Sequence, residues 1–329
     1  MHGRTGDAGK IGAGDRLGLP SGMASSTSIQ LSPGTVSPVT ARKTWRTVEP
    51  LHGMIYFAPE ANESYTGLGI PSSSGYFASR SAAMGPVSAD VVIATFFNFH
   101  PRVVRPAIPA AWSLASPEAI LEARVRSADA ALRRMLGDAI DSPDMVRAAE
   151  LSRAVAERAA ERVAGRPLFA GHAGLPWPEA PHLVLWHAQT CLREFRGDGH
   201  IAALLLAETG PVEALIVHVA TGEVPIDFLK ASRGWSDSEW DAGVERVRSR
   251  GWLDSSGHDG ALSLSEAGAT VRQRVEDETD VLAVFPYEAI GEDGCAELRT
   301  LARPFSRAVV AAAGLGIARP PSSPSAPAS

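Results

Sequence analysis

Two serine–proline steps constrain this chain more than any other feature: Ser116-Pro117 and Ser142-Pro143 each set a capping hydroxyl before a proline at a first helical position. The hydroxyl accepts from a backbone N–H that would otherwise be unpaired, and the proline stands where its missing N–H is not needed. Both steps therefore predict helix starts. The first helix continues through Ile120, Leu121, Val125, Ala128, Leu132 and Met135, spacings that align one apolar stripe, with Arg124, Arg126, Arg133 and Arg134 mostly off it. The second is expected to reach about Val163 and to stop at Gly165. A chain built from such elements is mainly α.

With 329 residues, 45% of them apolar, the chain exceeds the usual size of one core and predicts two packed units. Its 31 basic and 37 acidic residues provide no positive field to draw polyanions from a distance, so nucleic-acid binding has to be argued locally. Cys191 and Cys295 form neither a CxxC pair nor a disulfide framework, which fits a reducing cytoplasm. No stretch approaches the ~18 to 20 uninterrupted apolar residues of a membrane span, and the N-terminus lacks the basic-then-apolar order of a secretory signal. Residues 1–43 are rich in Gly, Ser, Thr and Pro and hold too little apolar surface to offset ordering, so disorder is expected there, with Met23 as an alternative start. A disordered tail is expected over 317–329 as well.

Between these ends, 44–222 reads as an all-helical domain. Residues 49–67 mix apolar and polar side chains at helical spacing, and Pro59 is expected to end or kink that helix. The apolar run 87–99 (VSADVVIATFFNF) reads as helix in preference to strand, with His100 before Pro101 at its end. The stretch 165–181 (GRPLFAGHAGLPWPEAP) reads as a packed crossing loop, in which His172 is expected to face solvent, with a cavity-facing role as the alternative. Trp112, Trp177 and Trp186 read as packing residues.

Residues 223–284 carry the clearest supersecondary pattern: a short helix (VPIDFLKAS), a turn at Gly234, a second helix, a hairpin and an exit helix. That is the order of a winged helix. Ser236-Asp237-Ser238-Glu239 is a capping box, and Trp240, Val244 and Val247 form the second helix's inward face. Trp252-Leu253 and Ala261-Leu262-Ser263-Leu264 predict two short strands around a turn-rich 255–260 (SSGHDG). In the exit helix, Val271, Val275, Thr279 and Leu282 share a face suited to a subunit contact, so a homodimer is expected. A helical tail follows over 285–316.

The segment Leu264-Ser265-Glu266-Ala267-Gly268 resembles the LTxxG segment of MarR-like proteins. Five further motifs extend a resemblance, over about residues 48 to 315, to a family of actinobacterial helix-turn-helix proteins. They are Glu49-Pro50-Leu51-His52, Ala94-Thr95-Phe96-Phe97-Asn98-Phe99, Leu185-Trp186-His187, the run from Leu192 to His200 (LREFRGDGH), and Arg233-Gly234-Trp235. The resemblance implies a helix-turn-helix label and a MarR-like comparison, and brings no ligand, operator or reaction with it. The chain departs from the family at Phe195, where histidine is common.

DNA reading requires cations or amides in the first half of the recognition helix. That half offers Ser238 but also Asp237, Glu239 and Asp241; Arg246, Arg248 and Arg250 come later, and residues 251–270 hold no Lys or Arg. Direct DNA contact and a packing or dimerisation role for this unit both stay open.

The most unusual segment is 183–200 (LVLWHAQTCLREFRGDGH), which concentrates ionisable groups in a helix expected over 182–208. His187, Cys191, Glu194 and Asp198 fall on one face, with Arg193, Arg196 and His200 on an adjoining one. Three readings compete. His187, Cys191 and Glu194 have metal-donor atoms, but no HExxH, paired CxxC or second ligand set accompanies them, and no metal site is assigned. Arg193 or Arg196 suits a carboxylate or phosphate while His187 or Glu194 moves a proton. Alternatively the face is a salt-bridged packing surface. No GxGxxG, Walker loop, GxSxG or catalytic Cys/His signature is present.

These observations favour a ligand-responsive winged-helix protein, a transcriptional regulator whose small-molecule pocket gathers His187, Arg193, Glu194, Asp198, His200 and His52. An enzyme using the same helix, with the winged helix as scaffold, and an interaction module without chemistry are the alternatives. No cofactor is identified.

Overall fold

Proline opens helices throughout the chain, because a helix's first turn has N–H groups to spare. The computed structural model describes residues 36–254 and 262–313. Among these, fifteen α-helices follow one another, eight of them with proline in the first turn's opening positions.

The first six are α1 (Pro38–Gly53), α2 (Pro59–Gly67), α3 (Ser72–Ser81), α4 (Ala89–Phe96) and the short α5 (Pro101–Val104) and α6 (Ala110–Leu114). Then come α7 (Pro117–Leu136), α8 (Pro143–Ala159), α9 (Pro167–Ala173) and the 26-residue α10 (Pro181–Leu206). The last five are α11 (Pro211–Val219), α12 (Ile226–Arg233), α13 (Asp237–Ser249), α14 (Glu266–Val284) and α15 (Gly291–Ala312). As the serine–proline steps predict, Ser116 Oγ accepts from Ala119 N–H at 3.3 Å and Ser142 Oγ from Met145 N–H at 3.2 Å.

The main core joins α1–α8 to the start of α10 and to α15, through Leu51, Met54, Ile120, Leu132, Trp186 and Leu298 among others. A separate apolar cluster, built on Ile216, Leu229, Trp240 and Val247, holds α11–α13 together. α10 runs through the middle of the bundle, with 17 of its 26 residues buried. Among the described residues no single helix is long and apolar enough to cross a membrane; α10 and α11 have that composition only as a pair bent by 99°.

The structure corrects several expectations. Order begins before residue 44: Ser37 caps α1, its hydroxyl accepting from Thr40 N–H at 3.1 Å. The segment expected as a helical tail contains α15, which packs along α1, with Ser306 Oγ donating to the Thr47 carbonyl at 2.6 Å. Pro59 starts α2 and does not kink α1, which has already ended. α8 stops at Ala159, short of Val163. The crossing segment contains α9, and its His172 is buried at 1% exposure, since its ring reaches the Arg80 carbonyl at 3.2 Å. His100 starts α5, its Nδ1 accepting from Arg102 N–H, and does not end α4. Arg124 lies inside the apolar stripe of α7 at 2% exposure, whereas Val125 is 37% exposed.

In the segment from α11 to α14, called the C-terminal unit below, the capping box of α13 forms as read, and Trp240 and Val247 are buried. The two expected strands reduce to one antiparallel bridge, Leu253 with Leu264, flanked by Asp254 N–H to the Ser263 carbonyl at 3.0 Å and Ser265 N–H to the Trp252 carbonyl at 3.0 Å. Their turn, 255–260, and Ala261 lie outside the described residues, as do 1–35 and 314–329. Part of the α14 face expected at a subunit contact is used within the chain: Val275 and Thr279 are 3% and 1% exposed and His200 Nδ1 on α10 meets Thr279 Oγ1 at 2.9 Å, whereas Leu282 is 40% exposed.

Gly268 marks where α14 crosses the bridge, because a β-carbon there would overlap the Trp252 carbonyl oxygen, a backbone atom that cannot swing aside. Gly268→Ala is therefore expected to destabilise the C-terminal unit by about 1 to 3 kcal/mol through overpacking. Denaturant unfolding followed by tryptophan fluorescence measures this, and an unchanged midpoint would contradict the close crossing.

Candidate functional site

The ionisable groups of α10 are buried or half-buried, and most are matched from other helices, since an unmatched buried charge is costly. Glu194, 1% exposed, receives both Arg80 Nε and Nη2 from α3, at 2.8 and 2.7 Å. Arg193 pairs with Glu49 of α1. Arg196 meets Asp280 at 2.6 Å and Glu276 at 3.4 Å, both on α14, where Arg42 of α1 joins the same carboxylates. Asp198 accepts from the Phe169 N–H at the start of α9, at 3.0 Å.

The neutral groups are matched in the same manner. His52 of α1 reaches Thr190 Oγ1 at 2.8 Å and Tyr56 Oη at 3.0 Å. Thr190 already donates to the Trp186 carbonyl, so the network assigns the His52 proton to Nδ1 and leaves Nε2 to accept from Tyr56. His187 sits edge-on to Trp177, its Nε2 3.8 Å from Cys191 Sγ. Among the described residues no group of three or more His, Cys, Asp or Glu side chains is placed to hold a metal ion.

Four of the six sequence-derived site residues, Arg193, Glu194, Asp198 and His200, line one cavity of about 370 Å³; His187 and His52 do not. His187 borders a different cavity, on the α7 side of α10, and His52 is sealed in the core. The first cavity is walled on the bundle side by Tyr76, Arg80 and residues 95–99, and on the other by His218, Arg233, Trp252, Arg272 and Glu276. Gly197 belongs to the same lining, whereas Gly199 faces Leu282 of α14 and the Arg166 guanidinium, where a β-carbon would crowd both.

Sequence reasoning missed Arg80 and Arg233. A buried glutamate on α10 implied a cation somewhere, but nothing in the chain says which arginine folds onto it. Phe97 also lines the cavity and holds φ at 54°, a region costly for a large side chain. This turn aims residues 98–102 at the C-terminal unit. Trp235 Nε1 donates to the Asn98 carbonyl and His100 N–H to the Arg233 carbonyl, each at 2.9 Å, while Glu239 receives His100 and Arg102.

Burial shifts most titrating groups of the site toward their neutral forms. It holds His172 at about 3 and His187 at about 4, lowers His52 and His200, and raises Asp198 to about 6 despite the Phe169 N–H. Glu194 goes the other way: burial opposes ionisation, but the Arg80 charge and its hydrogen bonds overcome it and hold the carboxyl at about 2.

The candidate DNA-contact residues lie apart from the cavity. Ser238 is exposed at the start of α13, with Asp237, Asp241 and Glu245 exposed around it. Arg246 pairs with Glu213 at 2.5 Å, Arg248 with Glu245 at 2.8 Å and Arg250 with Glu208 at 3.7 Å. The outward face of α13 is thus acidic toward its N-terminus, and its late arginines all have carboxylate neighbours.

The histidines set an expected pH dependence. Their folded pKa lies below the ordinary value of 6.5, so below 6.5 the unfolded chain binds more protons and stability falls toward pH 4. Asp198, with its folded pKa raised, opposes this between 3.8 and about 6, but as one group against several. The melting temperature is therefore expected to drop between pH 7 and pH 4.5, less steeply in His187→Gln, and a flat or rising profile would contradict buried neutral histidines.

No curated protein and no solved structure matches the chain. A helix-turn-helix family profile matches residues 41–316, which takes in the bundle, the central α10 and the C-terminal unit alike. The chain belongs to this helix-turn-helix family.

Proposed function

We propose that this protein is a ligand-responsive, DNA-binding regulator of winged-helix, MarR-like type. A small polar molecule occupies the cavity beside α10 and biases the position of the helix-turn-helix. The observation that carries the reading is the shared wall of the cavity. Arg80, Arg193 and Glu194 come from the bundle, and Arg233, Trp252, Arg272 and Glu276 come from the elements around α12–α14. A molecule touching both walls has different contacts when they shift, which is the requirement for a ligand to move an equilibrium. Arg233 ends α12 one residue before the turn and has a buried Nε without a hydrogen-bond acceptor, so a ligand acceptor there completes its bonding.

A second reading is favoured by the acidic exposed face of α13. Asp237, Asp241 and Glu245 are exposed on this face, Asp237 paired with Lys230 and Glu245 with Arg248, and Arg246 and Arg250 face glutamates, so the face offers phosphate little net positive charge. In that reading the helix-turn-helix recognises a protein surface.

Native mass spectrometry of the chain purified from its own host, followed by denaturation, is expected to release one small molecule per chain. Arg233→Met is expected to keep its fold and lose the molecule, with affinity lower by about tenfold or more for a charge-assisted hydrogen bond. Genomic fragments captured by the wild-type chain should be retained less as salt rises and should respond to the released molecule. Absence of both cargo and captured DNA favours the protein-recognition reading.

A further inference from the structure

Arg124 stands apart from the arginines that carry the ion pairs of α10. Arg80, Arg193 and Arg196 each have a carboxylate partner, as an interior cation requires. Arg124 is 2% exposed, and none of its three guanidinium nitrogens has a hydrogen-bond acceptor among the described residues. It lies over two ring faces, 5.6 Å from the centre of Tyr56 and 5.4 Å from that of Trp186. Ring faces attract a cation but do not accept its five N–H donors. Tyr56 sends its own hydroxyl proton to His52, and its oxygen lies close to the guanidinium without a well-directed hydrogen bond to it. A native interior seldom leaves such a group without a partner, so the missing acceptor calls for an explanation.

The explanation lies beside it. Arg124 lines a cavity of about 580 Å³ between α7 and the segment that joins α9 to α10, and this cavity shares no lining residue with the one described above. Its walls are apolar and flat: Leu121, Val125, Leu175, Trp177 and Trp186, with Pro176 and Pro178. The indole Nε1 of Trp186 is a second buried donor without an acceptor. The cavity also touches His172 and His187, both held neutral by burial, so Arg124 is the buried charge of the site. Glu118 and Glu122 are exposed members of the lining, and Arg126 lies 3.6 Å from Glu122.

These features select a ligand. One buried cation with an adjacent N–H donor fits one carboxylate, and the exposed glutamates disfavour phosphates and other multiply charged anions. The volume and flat apolar walls fit a planar ring system of one or two rings. We propose that this cavity binds a planar aromatic monocarboxylate, its ring beside Trp177 and its carboxylate directed at Arg124 and Trp186 Nε1, whose nitrogens are covered in this structure, so that binding includes a shift of these side chains. The site is independent of the cavity at the helix-turn-helix, and its failure leaves that reading untouched.

Isothermal titration of the full chain with benzoate, 2-naphthoate and indole-3-carboxylate, each against its uncharged amide, tests the site. At least one carboxylate is expected to bind about tenfold or more tightly than its amide, the value of a hydrogen-bonded charge. Arg124→Met is expected to fold with an equal or higher melting temperature, since it removes an unpartnered buried charge, and to lose that preference. Trp186→Phe keeps the wall, removes one donor and is expected to weaken the carboxylate but not the amide. The proposal is overturned if no carboxylate outbinds its amide, if Arg124→Met binds carboxylate as well as the wild type, or if Arg124→Met unfolds. The last result would make Arg124 a structural cation stacked on Tyr56 and Trp186, or one bonded by interior water only.

Discussion

The ion pair between Arg80 and Glu194 is the contact on which the arrangement of this protein depends. Glu194 is fixed near the middle of α10 and is almost fully buried, so the helix can occupy the interior only if a cation arrives with it. α3 delivers Arg80 in a two-pronged geometry, and the same logic repeats along the helix. Glu49 answers Arg193, Asp280 answers Arg196, the first turn of α9 answers Asp198 and Thr279 answers His200. Each partner belongs to a helix whose position is thereby specified. Apolar packing alone tolerates a range of helix rotations, whereas a buried charge tolerates only the one that pairs it.

Two consequences follow from a central helix held by polar contacts. A helix whose neighbours are set by charge pairing is not thereby close-packed on every side, although interiors generally are. A cavity remains where α10 meets the C-terminal unit, lined by residues from both sides. On the opposite side, where α10 meets α7, the pairing rule is broken at Arg124, and a second cavity lies beside the break. The exception is informative because the neighbouring buried arginines obey the rule.

The C-terminal unit shows how a family resemblance and a local surface answer different questions. The match of the family profile establishes membership of a helix-turn-helix family. The surface of α13 is decided residue by residue, and here its leading face is acidic while the segment at 98–102 docks against its start. A fold supplies a shape that can enter a groove, and charge determines what the shape is attracted to.

What the sequence determined by itself was local. Ser116-Pro117, Ser142-Pro143 and the capping box at Ser236–Glu239 set helix starts, because capping is decided within four residues. The mainly α class and the unusual polarity of 183–200 were legible for the same reason. What only the tertiary structure decided was pairing across the chain: Arg80 for Glu194, separated by 114 residues, the burial of Arg124 and His172, and the occupation of the α14 face by α10. Helical periodicity placed Arg124 off the apolar face because it counts hydrophobicity and not rings, and only the folded chain brings Tyr56 and Trp186 around that guanidinium. Helix starts are fixed by neighbours in sequence, whereas the environment of a buried charge is made by neighbours in space, and a single sequence does not contain that distance.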